Sequence, residues 1–306
     1  VNRRAFLFST AAMAAPTQPS PKLPVCAFSK HFQWTDAGEA AALCRELGYD
    51  GLDLTVRPGG HILPERVAED LPRAVETIHK AGLSTPMVTS GIVDARTPHA
   101  ETVAKTLARL GIRRYRWGGF RWKENQPIPA QLDEARERSR ELAAMNKTYG
   151  LCAMYHTHSG PGQFGNTFWD LWTALKDLDT SAVSVNLDIA HATVEGGFGA
   201  WMPTVQLLLP MTRGIAIKDF YWEKNEKGEW RPRWCPLGKG HVNLAKFLGY
   251  VKAAGFEGPV QLHLEYPELG DAHAGKGMTI PRAEFLRLNR ADVATLRAAL
   301  RAAGLA

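Results

Sequence analysis

The 306-residue sequence predicts a single α/β domain folded as a (β/α)8 barrel. Three observations carry this expectation. From Leu23 onward, short apolar or β-branched runs alternate with helix-length stretches, the pattern of parallel strands joined by helices. Four runs in the C-terminal half end in polar, ionisable groups: Met154–His158, Val185–His191, Ile215–Asp219 and Leu262–Tyr266. The turn after the first strand, Ser29–Trp34, lacks the glycine-rich phosphate fingerprint that a doubly wound sheet would place there.

The elements follow in order. Pro24–Phe28 suits strand one, and Thr35–Leu47 a helix opened by the capping-box-like pair Asp36 and Glu39. Tyr49–Thr55 is strand two. Pro64 starts the next helix where its missing N–H does no harm, and Gly82 ends it. Thr85–Ser90 is strand three, followed by a helix over Pro98–Leu110. Ile112–Trp117 is strand four, with a long helix from Ile128 to Tyr149. The polar-ended runs supply strands five to eight, with helices near Phe168–Leu178, Trp201–Leu208, Val242–Ala254 and Ala291–Ala303. The C-terminal ends of barrel strands converge on one mouth, so His156, Asp188, Lys218 and Glu265 are expected around a common rim. Burying such groups together is costly unless they pair or hold a metal, which points to a chemical purpose.

Composition narrows the function classes. A hydrophobic fraction of 45% with 22% charged residues leaves ample material for a core. The net charge of +6 is scattered over stretches such as Asp133–Arg138, where acids and bases alternate. That is the pattern of solvated helix faces, so no nucleic-acid partner is expected. Cys26, Cys44, Cys152 and Cys235 form no C-x-x-C pair and read as small buried apolar residues. Arg3-Arg4 before Phe6-Leu7, an Ala-rich stretch and Ala14-Ala15-Pro16 resemble a twin-arginine export signal. The expected organisation is signal 1–16, linker 17–22 and barrel 23–306, with the mature protein in the periplasm and off the membrane. A homo-oligomer stays open.

Several further residues belong to the expected mouth. Trp117–Trp122 after strand four, and the run from Phe220 through Trp222 to Trp234 after strand seven, place many aromatics there. Rings stack against the C–H face of a sugar, so Trp117 and Trp222 are candidate sugar contacts; cover for the loops' own small core is the alternative. Gly59-Gly60 lets the chain after strand two fold sharply enough for Arg57 and His61 to turn inward, with a plain surface turn as the alternative. His156 and His158, two residues apart, share one side of their strand. His191 is another candidate contact, whereas His263 reads as structural.

Gly48–Leu54, Asn186–His191, Ile217–Asp219 and Leu262–Tyr266, in this order and spacing, resemble the xylose isomerase-like TIM-barrel superfamily. Its members include sugar isomerases and epimerases, lyases of 3-keto sugars and endonuclease IV. The resemblance covers nearly the whole mature chain. It implies a divalent metal (Mn, Zn, Co or Fe) at the mouth, with His156, Asp188 and Glu265 at the ligand positions of strands five, six and eight. The usual strand-seven histidine is replaced by Ala216. Either the metal is held more weakly, with help from His158 or His191, or the site works without one.

This set suits proton abstraction next to a carbonyl. Glu265 or His156 would act as base, and Lys218 as neutraliser, enolate stabiliser or base. The expected substrate is a neutral sugar or glycoside, and the outcome isomerisation, epimerisation or β-elimination from a 3-keto-glycoside. A degenerate barrel that binds sugar without turnover, motivated by Ala216, is the alternative. An endonuclease IV-like nuclease is a more distant one.

Overall fold

The computed structural model describes residues 23–306, so the expected signal and linker lie outside the described residues. Seven parallel strands come first: β1 (Val25–Phe28), β2 (Gly51–Val56), β3 (Val88–Ser90), β4 (Arg114–Trp117), β5 (Cys152–His156), β6 (Val183–Asp188) and β7 (Thr212–Ile217). An antiparallel hairpin, β8 (Asp219–Lys224) with β9 (Trp230–Cys235), follows. Then β10 (Val260–Leu262) pairs with both β7 and β1 and closes an eight-stranded barrel. The predicted (β/α)8 barrel is therefore the observed fold.

Nine α-helices are present among the described residues: α1 (Ala37–Leu47), α2 (Val67–Lys80), α3 (Ala100–Arg109), α4 (Ile128–Tyr149), α5 (Trp169–Leu175), α6 (Ile189–Gly196), α7 (Trp201–Leu208), α8 (Leu244–Ala253) and α9 (Arg282–Ala303). Asp36 caps α1 as expected, its Oδ1 accepting the Glu39 N–H at 2.8 Å. Several boundaries differ from the sequence reading: β5, β7 and β10 each start and end earlier than expected, β10 at Leu262, and two further differences have a visible cause. Helix α9 starts at Arg282, directly after Pro281, rather than near Ala291; its polar first turns hide a buried Phe285. The expected strand through Ile189–His191 stops at Asp188, because that carboxylate caps α6 by accepting the N–H groups of Ala190 and His191.

Strand alternation divides the barrel into two environments. On β2, Leu52, Leu54 and Val56 are fully buried among the core residues, while Asp53 and Thr55 have the opposite parity. Side chains of that inward parity meet across the lumen. Gln261 Nε2 donates to Asp53 Oδ2 at 2.6 Å, Asn186 Nδ2 donates to Gln261 Oε1 at 2.6 Å, and Thr89 donates to Asp53 Oδ2 at 2.8 Å. A polar chain thus spans β3, β2, β10 and β6 beneath the mouth, where barrels usually stack branched apolar residues.

Burial pushes the Asp53 carboxyl up to about 7 from 3.8, against the pull of Thr89 and nearby arginines. The native state therefore binds more protons than the unfolded chain between those values, and this group's contribution to stability falls as pH rises through the window. Asp53→Asn is expected to stabilise the fold above pH 7 by on the order of 3 kcal/mol and to flatten that pH dependence. Denaturant titrations at pH 5 and pH 8 check it; an unchanged slope would contradict it.

Candidate active site

The inward parity also governs the mouth. Phe28, Arg116, His156, Asp188, Lys218, His263 and Glu265 all stand at or just past strand ends on that side. His156, Asp188, Lys218 and Glu265, expected around one rim, are brought together there. Lys218 Nζ lies 2.5 Å from Glu265 Oε2, 3.3 Å from Asp188 Oδ2 and 2.8 Å from His191 Nε2. His156 Nε2 lies 3.7 Å from Asp188 Oδ2, and His263 Nδ1 and His191 Nε2 each lie 3.9 Å from it.

Local structure fixes each group. The cap turns Asp188 so that Oδ1 faces helix α6 and Oδ2 faces the cluster, and the same turn delivers His191. His191 Nδ1 meets the Ser159 hydroxyl at 2.7 Å. His31 positions the segment carrying Glu265: its Nε2 accepts the Leu264 N–H at 3.0 Å. Trp234, on β9, covers Lys218 with its ring centre 4.3 Å from Nζ and touches His191 edge-on. Glu265 remains 19% exposed and, with Lys30 and Trp234, lines a cleft of about 470 Å3.

The electrostatics are one-sided. Burial, and then the cations Arg116 and Lys218, hold His156 and His158 far below the usual imidazole range, His158 down to about 3. Burial and Lys218 do the same to His191, and burial pushes His263 down as well. The histidines are therefore neutral at physiological pH, the form that ligates metals. Burial raises Asp188, partly offset by Lys218. Burial also pulls Glu265 up, but Lys218 and Lys30 outweigh it and hold the carboxyl well below its ordinary value.

The residues present fit a divalent metal. His156, Asp188 and His263 each present a ligand atom, all within 4.8 Å of one another. His156 Nδ1 and both ring nitrogens of His263 are buried without a hydrogen-bond partner, and Asp188 Oδ2 has only the Lys218 ammonium within 3.5 Å, at 3.3 Å. Two imidazoles and a carboxylate suit Mn, Fe, Co or Zn. His156, His158 and His191 form a second such group. Glu265, expected as the third ligand, lies in neither group, since Lys30 takes its Oε1 at 2.8 Å and Lys218 its Oε2.

Other expected contacts are placed differently. Trp117 is 2% exposed and packs on Tyr155 and Phe120; its outward parity makes it loop core, not a sugar contact. Trp222 is 40% exposed but faces a separate cleft with Trp201 and Phe198. Its hairpin neighbour Trp234 is the ring that reaches the rim. His61 bonds Thr55 Oγ1 at 3.3 Å and touches none of the rim groups. Arg57 does turn toward the mouth, over Phe28. The run of backbone N–H groups just past β9 already holds an anion: those of Gly238, Gly240 and Val242 all donate to Asp219 at 3.0 Å. His263 was expected to be structural and Trp234 to be only one of several loop aromatics, while Lys30 and Arg116 were missed. His263 shared with Glu265 the two-residue spacing that singled out His156 and His158.

Residues 41–304 match the family model described as xylose isomerase-like TIM barrel. The chain belongs to the xylose isomerase-like TIM-barrel family. Its fold resembles a xylose isomerase-like TIM barrel protein from Mycobacterium smegmatis in complex with magnesium, at 18% identity and a TM-score of 0.66, covering 93% of this chain and 98% of that one. It also resembles the IOLI protein with a bound zinc atom, at 14% identity and a TM-score of 0.69, covering 91% and 99%. A third likeness is to a 3-keto-D-glucoside 4-epimerase from E. coli, at 14% identity and a TM-score of 0.65, covering 90% and 100%. No curated protein sequence matches the chain. Ala216, where the resemblance implies a strand-seven histidine, pairs with Asp188 and Gln261 in the barrel and offers no ligand.

Proposed function

We propose that the chain is an enolising sugar isomerase or epimerase. It removes a proton from a carbon next to a sugar carbonyl and returns it to the neighbouring carbon or to the opposite face. One observation carries this reading: neutral imidazoles, a lysine ammonium and two carboxylates from separate strand ends meet on one rim. The epimerase among its structural neighbours supports the same class.

A divalent metal held by His156, Asp188 and His263 would polarise the carbonyl. Glu265, the rim carboxylate that lines the cleft, takes the proton. The C–H electron pair becomes the new C=C bond and the carbonyl π pair moves onto oxygen. Lys218 couples these events. While it rests on Glu265 it suppresses that group's basicity; as oxyanion charge develops, the ammonium shifts its attraction there and frees the carboxylate to accept. Lys30 keeps Glu265 oriented, and Trp234 shields Lys218 from water. A 3-keto-glycoside would share the first step and then lose its C1 substituent by β-elimination, for which the open cleft leaves room. The proposal keeps the periplasmic address on the strength of Arg3-Arg4 alone.

The test is deuterium wash-in from D2O, followed by NMR over a panel of keto-sugars and 3-keto-glycosides. Exchange should occur at the carbon beside the carbonyl, and Glu265→Gln should slow it by at least about 1,000-fold. No exchange with any member would overturn the reading, and exchange that survives the substitution would remove Glu265 from its role. A released aglycone would identify elimination.

A further inference from the structure

Four cationic side chains surround the mouth: Lys30, Lys218, Arg57 and Arg116. The lysines are matched to Glu265 and Asp188. The arginines have no such match. Among the described residues neither has a carboxylate within ion-pairing distance; Arg116 Nη2 meets only the neutral His158, at 3.1 Å. Both guanidinium carbons lie 5.7 Å from the centre of the same Phe28 ring. The acid acting most strongly on both is Asp53 in the lumen below, whose Oδ2 is taken by Thr89 and Gln261 and which burial drives toward its neutral form.

The two forks are also held in place. Arg116 sits in the β4 ladder between Thr89 and Met154. The Arg57 backbone is closed into a tight loop, its N–H donating to Ile62 O at 3.0 Å and its carbonyl accepting the Gly60 N–H at 2.9 Å. Burial, and then the neighbouring Arg57, push Arg116 down to about 10 against the pull of Asp53, Glu265 and Asp188. Two half-buried guanidiniums preset on one ring form an oxyanion receptor with its oxyanion missing. The receptor adjoins the cluster, since Phe28 also stacks on His263 at 4.5 Å.

We propose that Arg57 and Arg116 clamp a carboxylate of the substrate, so that the sugar accepted is a keto-sugar acid rather than a neutral sugar. The statement that this sugar is turned over rests on the enolising reading; the clamp itself does not. Planar carboxylate fits two planar forks, whereas a phosphate gains from a cradle of backbone N–H groups, and those of residues 238–242 are occupied by Asp219.

The test compares three ligands of one skeleton on the metal-loaded protein: D-fructose, D-fructuronate with a carboxylate at C6, and D-fructose 6-phosphate. Calorimetry at low salt should show fructuronate binding at least about tenfold tighter than fructose. Arg57→Gln should shrink that ratio to within about threefold, and Arg57→Lys should restore part of it. Equal affinities, or a preference that survives Arg57→Gln, overturn the clamp. A stronger preference for the phosphate than for fructuronate overturns the carboxylate assignment. Deuterium wash-in on the same samples separates the two ideas. An anionic preference with no exchange here or anywhere in the wider panel leaves the clamp and sinks the enolising reading; exchange without preference does the reverse.

Discussion

Replacing Lys218 with Met is expected to abolish turnover and to loosen the rim at the same time. The ammonium is the shared partner of Glu265, Asp188 and His191 beneath the Trp234 ring. Without it, enolate charge loses its nearest cation, and exchange should fall at least about 1,000-fold. Breaking a buried ion pair by removing one member costs roughly 3–5 kcal/mol, and the lower end applies because Lys30 stays on Glu265. The loss should depend on pH with a definite sign. The lysines hold Glu265 below its unfolded value of 4.5, so their contribution is complete above that pH and fades as pH falls through the folded value. Thermal melts of both proteins from pH 7 to pH 3 should converge on the acid side; a constant gap would contradict this account.

Asp188→Asn is the second large effect, and it separates metal binding from folding. Asparagine keeps the oxygen that caps α6, so the helix should persist. What disappears is the negative charge facing His156, His263 and Lys218. Affinity for a divalent metal should drop by at least about 100-fold, measured by chelator competition and elemental analysis. Glu265→Gln should retain the metal, because Glu265 lies outside both ligand groups. If the wild-type protein binds no divalent ion under saturating conditions, the metal leaves the proposal. If Glu265→Gln loses it as Asp188→Asn does, the ligand set is the one expected from the sequence instead.

The barrel and its rim were legible because both rest on periodicity. Apolar runs at helix-length spacing place strands, and a polar residue ending such a run marks the mouth, which is how His156, Asp188, Lys218 and Glu265 could be named. What stayed hidden depends on contacts that distance in the sequence conceals. Lys30 comes from the turn after β1 and meets Glu265 across 235 positions. Trp234 reaches the rim only because β8 and β9 fold into a hairpin, so the choice between Trp222 and Trp234 needed the register of that pair. Trp117 follows the alternative reading, cover for the loop's own core, because its parity on β4 opposes that of Arg116. Strand six was extended too far because an apolar run after Asp188 reads alike as strand or helix.

The polar chain across the lumen constrains how the barrel deforms. Asp53, Gln261 and Asn186 tie opposite walls of the barrel together like a crossbar. A cylinder braced in this way resists widening. The hairpin that carries Trp234 over Lys218 is a separate two-stranded sheet above the brace, so the cover and the frame are mechanically separate parts.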